Sequence, residues 1–396
     1  MSEDPIPLAR PDLGPDEEAA VIDVLRSGQL ALGPRAEEFE RLVAEYCGSP
    51  WAVSTSSGTA ALHLAVRALG IGPGDCVATV SFSFIASANA LVYEGADPVF
   101  LDIEPGTNGM DPAALKAYLE ACSPGGDGRP RDPVTGRRVA AVLPVHAFGH
   151  PADADAIGAL AAERGLPVIE DACEALGSWY RGADGAWRHA GTAGAFGAFA
   201  FYPNKTITTG EGGMLVGHDA ALGELARSLH NQGRAPDAAW LHHDHLGFNY
   251  RLDELSAALG VVQMRRLPEI LERRARVAAW YGEALAAVPE ATPPHGAEWA
   301  RPAWFVYTVR LDQAVDRDAV VAALAAEGIA SKAYFEPPIH RQPPYAGRPD
   351  LIPFALSETD RAARDTLVLP YFTGMTQGQV GRVAETLGKV VTVCRR

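Results

Sequence analysis

The chain has 396 residues, of which 47% are hydrophobic and 21% charged, so it exceeds one ordinary domain and carries enough apolar material for a large core. Its 34 Lys and Arg stand against 49 Asp and Glu, a net charge of −15 that repels nucleic-acid backbones and anionic membrane surfaces. Nucleic-acid and membrane partners are thereby disfavoured, and an anionic ligand must meet a local positive site.

In chain order, the pattern predicts a helix over 15–27, with Asp16 and Glu17 in its first turn and Gly28 after its end, and a second over 37–46. Short apolar strands follow at 51–53, 76–80, 98–101, 139–144 and 167–170, alternating with Ala/Leu-rich helices at 59–69, 83–93, 112–120 and 153–164. Such alternation implies an α/β fold with a mostly parallel sheet covered on both faces. The Gly-, Pro- and Arg-rich stretch 123–138 reads as an exposed loop with a solvated basic cluster. From Leu255 a long helical stretch is expected to break at Pro268 and lead out of the first domain. The division expected is 1–262 for an N-terminal segment and large domain, and 263–396 for a smaller α+β unit. That unit has strands at 305–311 and 366–369 and helices at 317–326 and 376–391.

Five scattered cysteines, without a CxxC pair, suggest neither a disulfide framework nor a zinc site and fit a reducing cytoplasm. The opening MSEDPIPLARPDLG has acids and prolines where a secretory signal needs a basic start and an apolar run. No stretch reaches membrane-spanning length without charges or prolines.

Three segments carry chemistry. In Ser56-Ser57-Gly58-Thr59, between a strand and a helix, backbone N–H groups point out of a helix start; this suits a phosphate, although Ser and Thr at a helix start are most often plain N-caps. In VIEDACEALG, Asp171 falls at the carboxyl end of a buried strand, where open α/β sheets place ligands. A carboxylate there can keep a pyridinium nitrogen protonated, or cap the next helix. In AFAFYPNKTITTGEGGMLV an aromatic strand runs into Lys205 and a Gly-rich turn, a setting for an amine at a pocket rim that forms an imine. A Walker loop is excluded because Asn204 precedes Lys205, and Gly191, Gly194 and Gly197 do not make GxGxxG. The run Trp240 to His245, with His242, His243, Asp244 and His245, reads as a polar loop, since metal-ligand spacing such as HExxH is absent.

The order SSGTAALHL, EDACEALGS, FYPNKTITTGEGGM and LGFNYRLDELSAALG resembles the DegT/DnrJ/EryC1/StrS family of sugar aminotransferases. The resemblance extends to SGQLALGP, GIGPGDCVATVSFSFIASANA, PVHAFGHPADADAI and PPIHRQPPY, and so to nearly the whole chain. It implies the fold-type I, aspartate-aminotransferase-like architecture and a pyridoxal 5'-phosphate cofactor that cycles through pyridoxamine phosphate. By the family's motifs, Lys205 matches the lysine that holds the cofactor as a Schiff base and Asp171 the carboxylate paired with its ring nitrogen. Phe84 matches the stacking aromatic, Gly58 and Thr59 the phosphate cradle, and Glu174 the side chain near the phenolic oxygen, often Gln or His in relatives. Asn249 matches a side chain that reaches the phosphate from a neighbouring subunit, which implies a homodimer with shared active sites. Ala200 departs from the family's frequent Ser, so one phosphate contact is either missing or supplied elsewhere, and a lost charge-assisted bond costs about 1.5–3 kcal/mol. The resemblance further implies glutamate as amino donor and a nucleotide-linked keto sugar as acceptor, with NKTITTGEGG most like 4-amino-sugar-forming members. A non-sugar carbonyl of secondary metabolism is an alternative acceptor, and a non-catalytic sensor a reading of another class. Lys205 argues against the family's dehydratases, which have His there. Arg251, Tyr334, His340 and the loop Gln29 to Gly33 are candidate acceptor contacts; each also suits a structural role.

Overall fold

The computed structural model describes residues 4–235 and 242–396. Its central sheet is built from β1 (Trp51–Thr55), β2 (Asp75–Val80), β3 (Asp97–Leu101), β4 (Arg138–Val142), β5 (Ile169–Asp171), β6 (Phe196–Ala200) and β7 (Gly213–Gly217). The order across it is β1-β7-β6-β5, continued through the bridges Val142–Val168 and Val145–Asp171 to β4, β2 and β3. Only β7 is antiparallel to its neighbours, so the sheet is mostly parallel. Strands such as β2 are buried along their length, as a sheet covered on both faces requires.

Helices α1 (Pro15–Ser27), α2 (Pro34–Cys47), α3 (Gly58–Ala68), α4 (Ala86–Val92), α5 (Pro112–Ala121) and α6 (Ala154–Glu163) precede or alternate with these strands, and α7 (Ala220–His230) follows the last of them. Helix α4 is shorter than expected: Ser83 to Ile85 stay outside it, which leaves Phe84 on a loop. Within the expected loop 123–138, Ser123–Pro124 and Pro130–Arg131 form a small antiparallel pair at the sheet edge. Its basic residues are partly engaged, with Arg137 paired to Asp97 and Arg138 to Asp75.

Pro268 does not break the chain's longest helix, α8 (Glu254–Ala284). Proline costs a helix interior roughly 3 kcal/mol, yet here both flanks are fixed. Gln263 and Arg266 bond Glu17 and Asp12, and Leu267 and Ile270 are buried against the first domain. The expected division at 262/263 therefore falls inside a continuous helix. Beyond it, Val277 and Tyr281 enter a second core with β8 (Tyr307–Leu311), α9 (Arg317–Ala326), β9 (Thr366–Leu369) and α11 (Gln377–Val393); α10 (Ser357–Asp365) leads into β9. Ile6 also packs in this second core, bonded to Gly328 and Ala330, whereas Leu8 of the same segment packs against the first core. We propose that the two units meet along α8.

Candidate active site

Strand register brings the three chemical segments to one edge of the sheet. Ala198 of β6 lies opposite Asp171 of β5 in a parallel pair, so the chain leaving β6 toward Lys205 emerges beside Asp171. Thr55, the last residue of β1, pairs with Gly213, the first of β7, which brings Ser57 and α3 to the same edge. This is the carboxyl end of the parallel strands, where the sheet opens to ligands. A cavity of about 540 Å³ opens there, lined by Gly58, Thr59, Phe84, Asp171, Glu174, Lys205 and Tyr334, with Ala200, Tyr202, Glu211 and Phe305 among the rest.

At one end stands the start of α3. Ser57 caps it by accepting from Ala60 N–H at 3.1 Å, and the Gly58 and Thr59 N–H groups precede the first intrahelical bonds. Gly58 is compelled by space: a Cβ there would lie 2.6 Å from the Ala200 side chain and 2.8 Å from Cys173 Sγ. Gly58→Ala should therefore cost about 1–3 kcal/mol by overpacking and displace the helix start. We expect a pyridoxal phosphate titration of the cofactor-free variant to show weaker binding at unchanged secondary structure; unaltered affinity would remove the cradle from this position.

At the floor, Asp171 is 6% exposed. Its Oδ2 accepts from Ser87 Oγ at 2.6 Å and its Oδ1 from Cys173 N–H at 3.1 Å. Burial pushes the Cys173 thiol far above its ordinary range, so it stays neutral beside Asp171. The neighbouring Glu170 points the other way and is structural. Burial alone would raise its carboxyl, but bonds from His146 and the Gly191, Ala193 and Gly194 N–H groups hold it below the usual range. Phe84 lines the cavity and is 65% exposed, so its ring face is open to a flat ligand.

Lys205 sits in the turn after β6, its N–H bonded to Tyr202 O. Its Nζ lies 3.3 Å from Glu174 Oε1 and 4.0 Å from the centroid of the Phe305 ring. Burial pushes the Glu174 carboxyl above its ordinary range, opposed by the Lys205 charge and by the Phe148 N–H, which donates to its Oε2 at 2.9 Å. Tyr334 lines the cavity, and burial raises its phenol.

The other sequence candidates lie outside this lining. His340 N–H donates to Ser81 Oγ at 2.9 Å, its ring Nδ1 bonds the same oxygen at 2.7 Å, and its Nε2 faces Asp360 at 3.5 Å. Arg251 donates to Asn231 Oδ1, and Asn249 is exposed on the chain's own surface. In the loop Gln29 to Gly33, Gly33 N–H is held by Glu254, and Leu30 and Leu32 are exposed. His242 pairs with Asp244; Trp240 and Leu241 fall outside the described residues. Sequence reasoning did not anticipate Ser87, Phe148 or Phe305. Ser87 lies in the quoted SFSFIASANA run, but only the fold turns its hydroxyl onto Asp171.

Residues 11–388 match the sequence profile of the DegT/DnrJ/EryC1/StrS aminotransferase family. The chain belongs to that family. GDP-perosamine synthase of Caulobacter vibrioides is 38% identical over 390 residues, 98% of each chain. DesV of S. venezuelae, solved in complex with a ketimine intermediate, is 35% identical with a TM-score of 0.86 over 98% of both chains. DesI, solved with its TDP-sugar product, is 32% identical with a TM-score of 0.86, covering 98% of this chain and 94% of its own. The fold is accordingly that of fold-type I enzymes, and the chain is a pyridoxal phosphate-dependent aminotransferase. The cavity suits that cofactor: an uncovered aromatic face, a buried carboxylate on the floor, a helix start for phosphate and one lysine amine within the same space. Among the described residues no helix is long and apolar enough to cross a membrane.

Proposed function

We propose that this aminotransferase moves an amino group from glutamate to the carbonyl of a nucleotide-linked keto sugar, in cytoplasmic amino-sugar biosynthesis that serves natural products such as antibiotics. The observation that carries the catalytic part is the meeting of Lys205, Asp171 and the α3 start in one cavity. The acceptor rests on the relatives, among them a GDP-perosamine synthase and an enzyme solved with a TDP-sugar product. The free cysteines fit the reducing compartment.

When bound, pyridoxal phosphate supplies the electron sink that lets a donor carbon give up its proton. Gly58 and Thr59 would hold its phosphate, Phe84 would cover one ring face, and the Asp171 carboxylate would hold a proton at the ring nitrogen. Lys205 would anchor the cofactor and, once its amine is free, would take and return a proton at Nζ. Glu174 steadies that amine through its Oε1. The donor leaves as its 2-oxo acid, and its nitrogen ends on the acceptor carbon.

The assembly we propose is a homodimer with shared sites. Within one chain, Lys205 is the only Lys or Arg among the described residues lining the cavity, and Glu211 adds an acid. A doubly charged phosphate needs more than this, and Asn249 and Arg251, absent from the chain's own cavity, are available to a second copy. Phe84 and Tyr202, 65% and 51% exposed at the rim, would be covered by it.

A panel tests the acceptor. The protein is loaded with pyridoxal phosphate, given glutamate, and offered GDP-, UDP- and dTDP-linked keto sugars beside free ketones and aldehydes. We expect 2-oxoglutarate from the donor and, by mass spectrometry, an aminated nucleotide sugar. Amination confined to nucleotide-free carbonyls would overturn the sugar assignment and leave the aminotransferase intact.

A further inference from the structure

The contacts around Lys205 Nζ form a closed arrangement whose parts come from distant segments. On one side is the Glu174 carboxylate at 3.3 Å; on another is the face of the Phe305 ring, its centroid 4.0 Å away. Phe305 is 2% exposed, so its ring cannot swing into solvent. Its N–H donates to Phe148 O at 2.9 Å, and its carbonyl accepts from the buried Arg274 guanidinium at 2.8 Å. The same Phe148 that takes the Phe305 N–H gives its own N–H to Glu174 Oε2 at 2.9 Å. One residue thus fixes both neighbours of the lysine amine.

Phe148 holds this place in an uncommon backbone conformation. Its φ of 59° is left-handed, a region that an aromatic residue rarely adopts and that persists only where the surroundings impose it. Its ring is stacked on Phe335 at 5.1 Å and meets Phe82 edge-on at 5.6 Å. Gly149 follows because a Cβ there would lie 2.9 Å from Phe305 N and 3.0 Å from Glu174 O. The Phe305 and Glu174 segments pass too close for a side chain.

We infer that Phe305 is a positioning residue that, together with Glu174, forms a two-sided rest for the Lys205 amine while the lysine is free, and that Phe148 sets both sides. An ammonium is attracted to the negative face of an aromatic ring as well as to a carboxylate. The pair confines Nζ within the cavity, where it would take and return a proton, while a ring face, unlike a second carboxylate, releases it without a bond to break. This rests on the assignment of Lys205 as the cofactor-bearing lysine.

The test uses the whole protein loaded with pyridoxamine phosphate, in which Lys205 is free. Lysines are acetylated in limiting anhydride and each site is quantified by peptide mass spectrometry, with exposed Lys116 and Lys389 as internal references. In the wild type, Lys205 should label more slowly than either reference. Phe305→Leu should raise Lys205 labelling at least about threefold with the references unchanged, and Phe305→Tyr, which keeps the ring face, should restore protection. Single-turnover reaction of the pyridoxal form with glutamate should slow about tenfold in Phe305→Leu, with the KM for glutamate within twofold of wild type, since the ring is asked to orient and not to bind donor. Should Phe305→Leu fail to fold, Glu174→Gln takes its place and should likewise raise Lys205 labelling. Wild-type labelling and turnover in the variant that folds would overturn the inference. A Lys205→Ala protein that keeps the visible absorbance of lysine-bound cofactor would instead overturn the underlying assignment.

Discussion

Lys205→Ala is expected to abolish the visible absorbance that wild-type protein shows after reconstitution with pyridoxal phosphate, and to lower turnover on the order of 10⁴-fold. On the proposed assignment two functions are removed together: the covalent anchor and the group that carries a proton at Nζ. They separate experimentally, because a small primary amine added to the variant can replace the proton carrier but not the tether, so partial recovery of rate without recovery of retention is the expected pattern. Reduction with borohydride followed by peptide mapping should place the cofactor on Lys205 in the wild type and nowhere in the variant. The substitution also strips Glu174 of its cation. Burial already raises that carboxyl and Lys205 opposes the rise, so its folded-state value should climb further above the unfolded one. The folded protein then binds the extra proton, and the stability of the variant should fall as pH rises through the window between the two values, more steeply than in the wild type. Thermal unfolding across that range measures it. A variant that kept its colour and its turnover would leave the 540 Å³ cavity without a defined chemistry.

The parts of this site legible in the sequence were those written in contiguous residues. An apolar strand ending in Asp171, a Ser-Gly-Thr helix start and a lysine before a Gly-rich turn each announce a local geometry, and the sheet gathers them because its parallel strands end at one edge. The contacts around them are of another kind. Phe305 lies in a run read only as a strand start, and nothing in its neighbours says that its ring will lie against an amine from a turn far upstream. Phe148 carries no sign of its left-handed φ, although Gly149 after it marks a close approach. His340, a histidine in a family motif, has its ring on Ser81 and lies outside the lining of the cavity, a placement its neighbours in the chain do not announce. Pro268 was given its intrinsic preference, and tertiary anchoring by Gln263 and Arg266 overrode it. Local preference fixes what a residue does when nothing else holds it, and these residues are held by partners far away in the chain.

Asp171→Asn should lower turnover about 10²–10³-fold while leaving the fold and most cofactor binding in place. The substitution is isosteric, and both donors to the carboxylate, Ser87 Oγ and Cys173 N–H, come from well-packed elements that do not depend on its charge. On the proposed assignment, what is lost is the negative charge that would face the ring nitrogen. The buried Cys173 thiol cannot replace it, since burial keeps it neutral, and Glu170 is committed to His146 and three backbone N–H groups on the other side of the strand. Without a carboxylate at this place a proton on the ring nitrogen has no partner, and the electron sink weakens where charge develops as the donor carbon loses its proton. An N-methylated cofactor analogue distinguishes this account from a simple anchoring role, because it carries a permanent positive charge that needs no carboxylate to maintain it. If Asp171 acts by holding the proton, the analogue should narrow the gap between variant and wild type; if Asp171 only grips the ring, the gap should stay as wide as with the natural cofactor. Ser87→Ala provides an intermediate point. Removal of a 2.6 Å donor leaves the charge in place but less well oriented, so a loss of about tenfold, well short of the Asn variant, is the outcome consistent with a charge held by a built network.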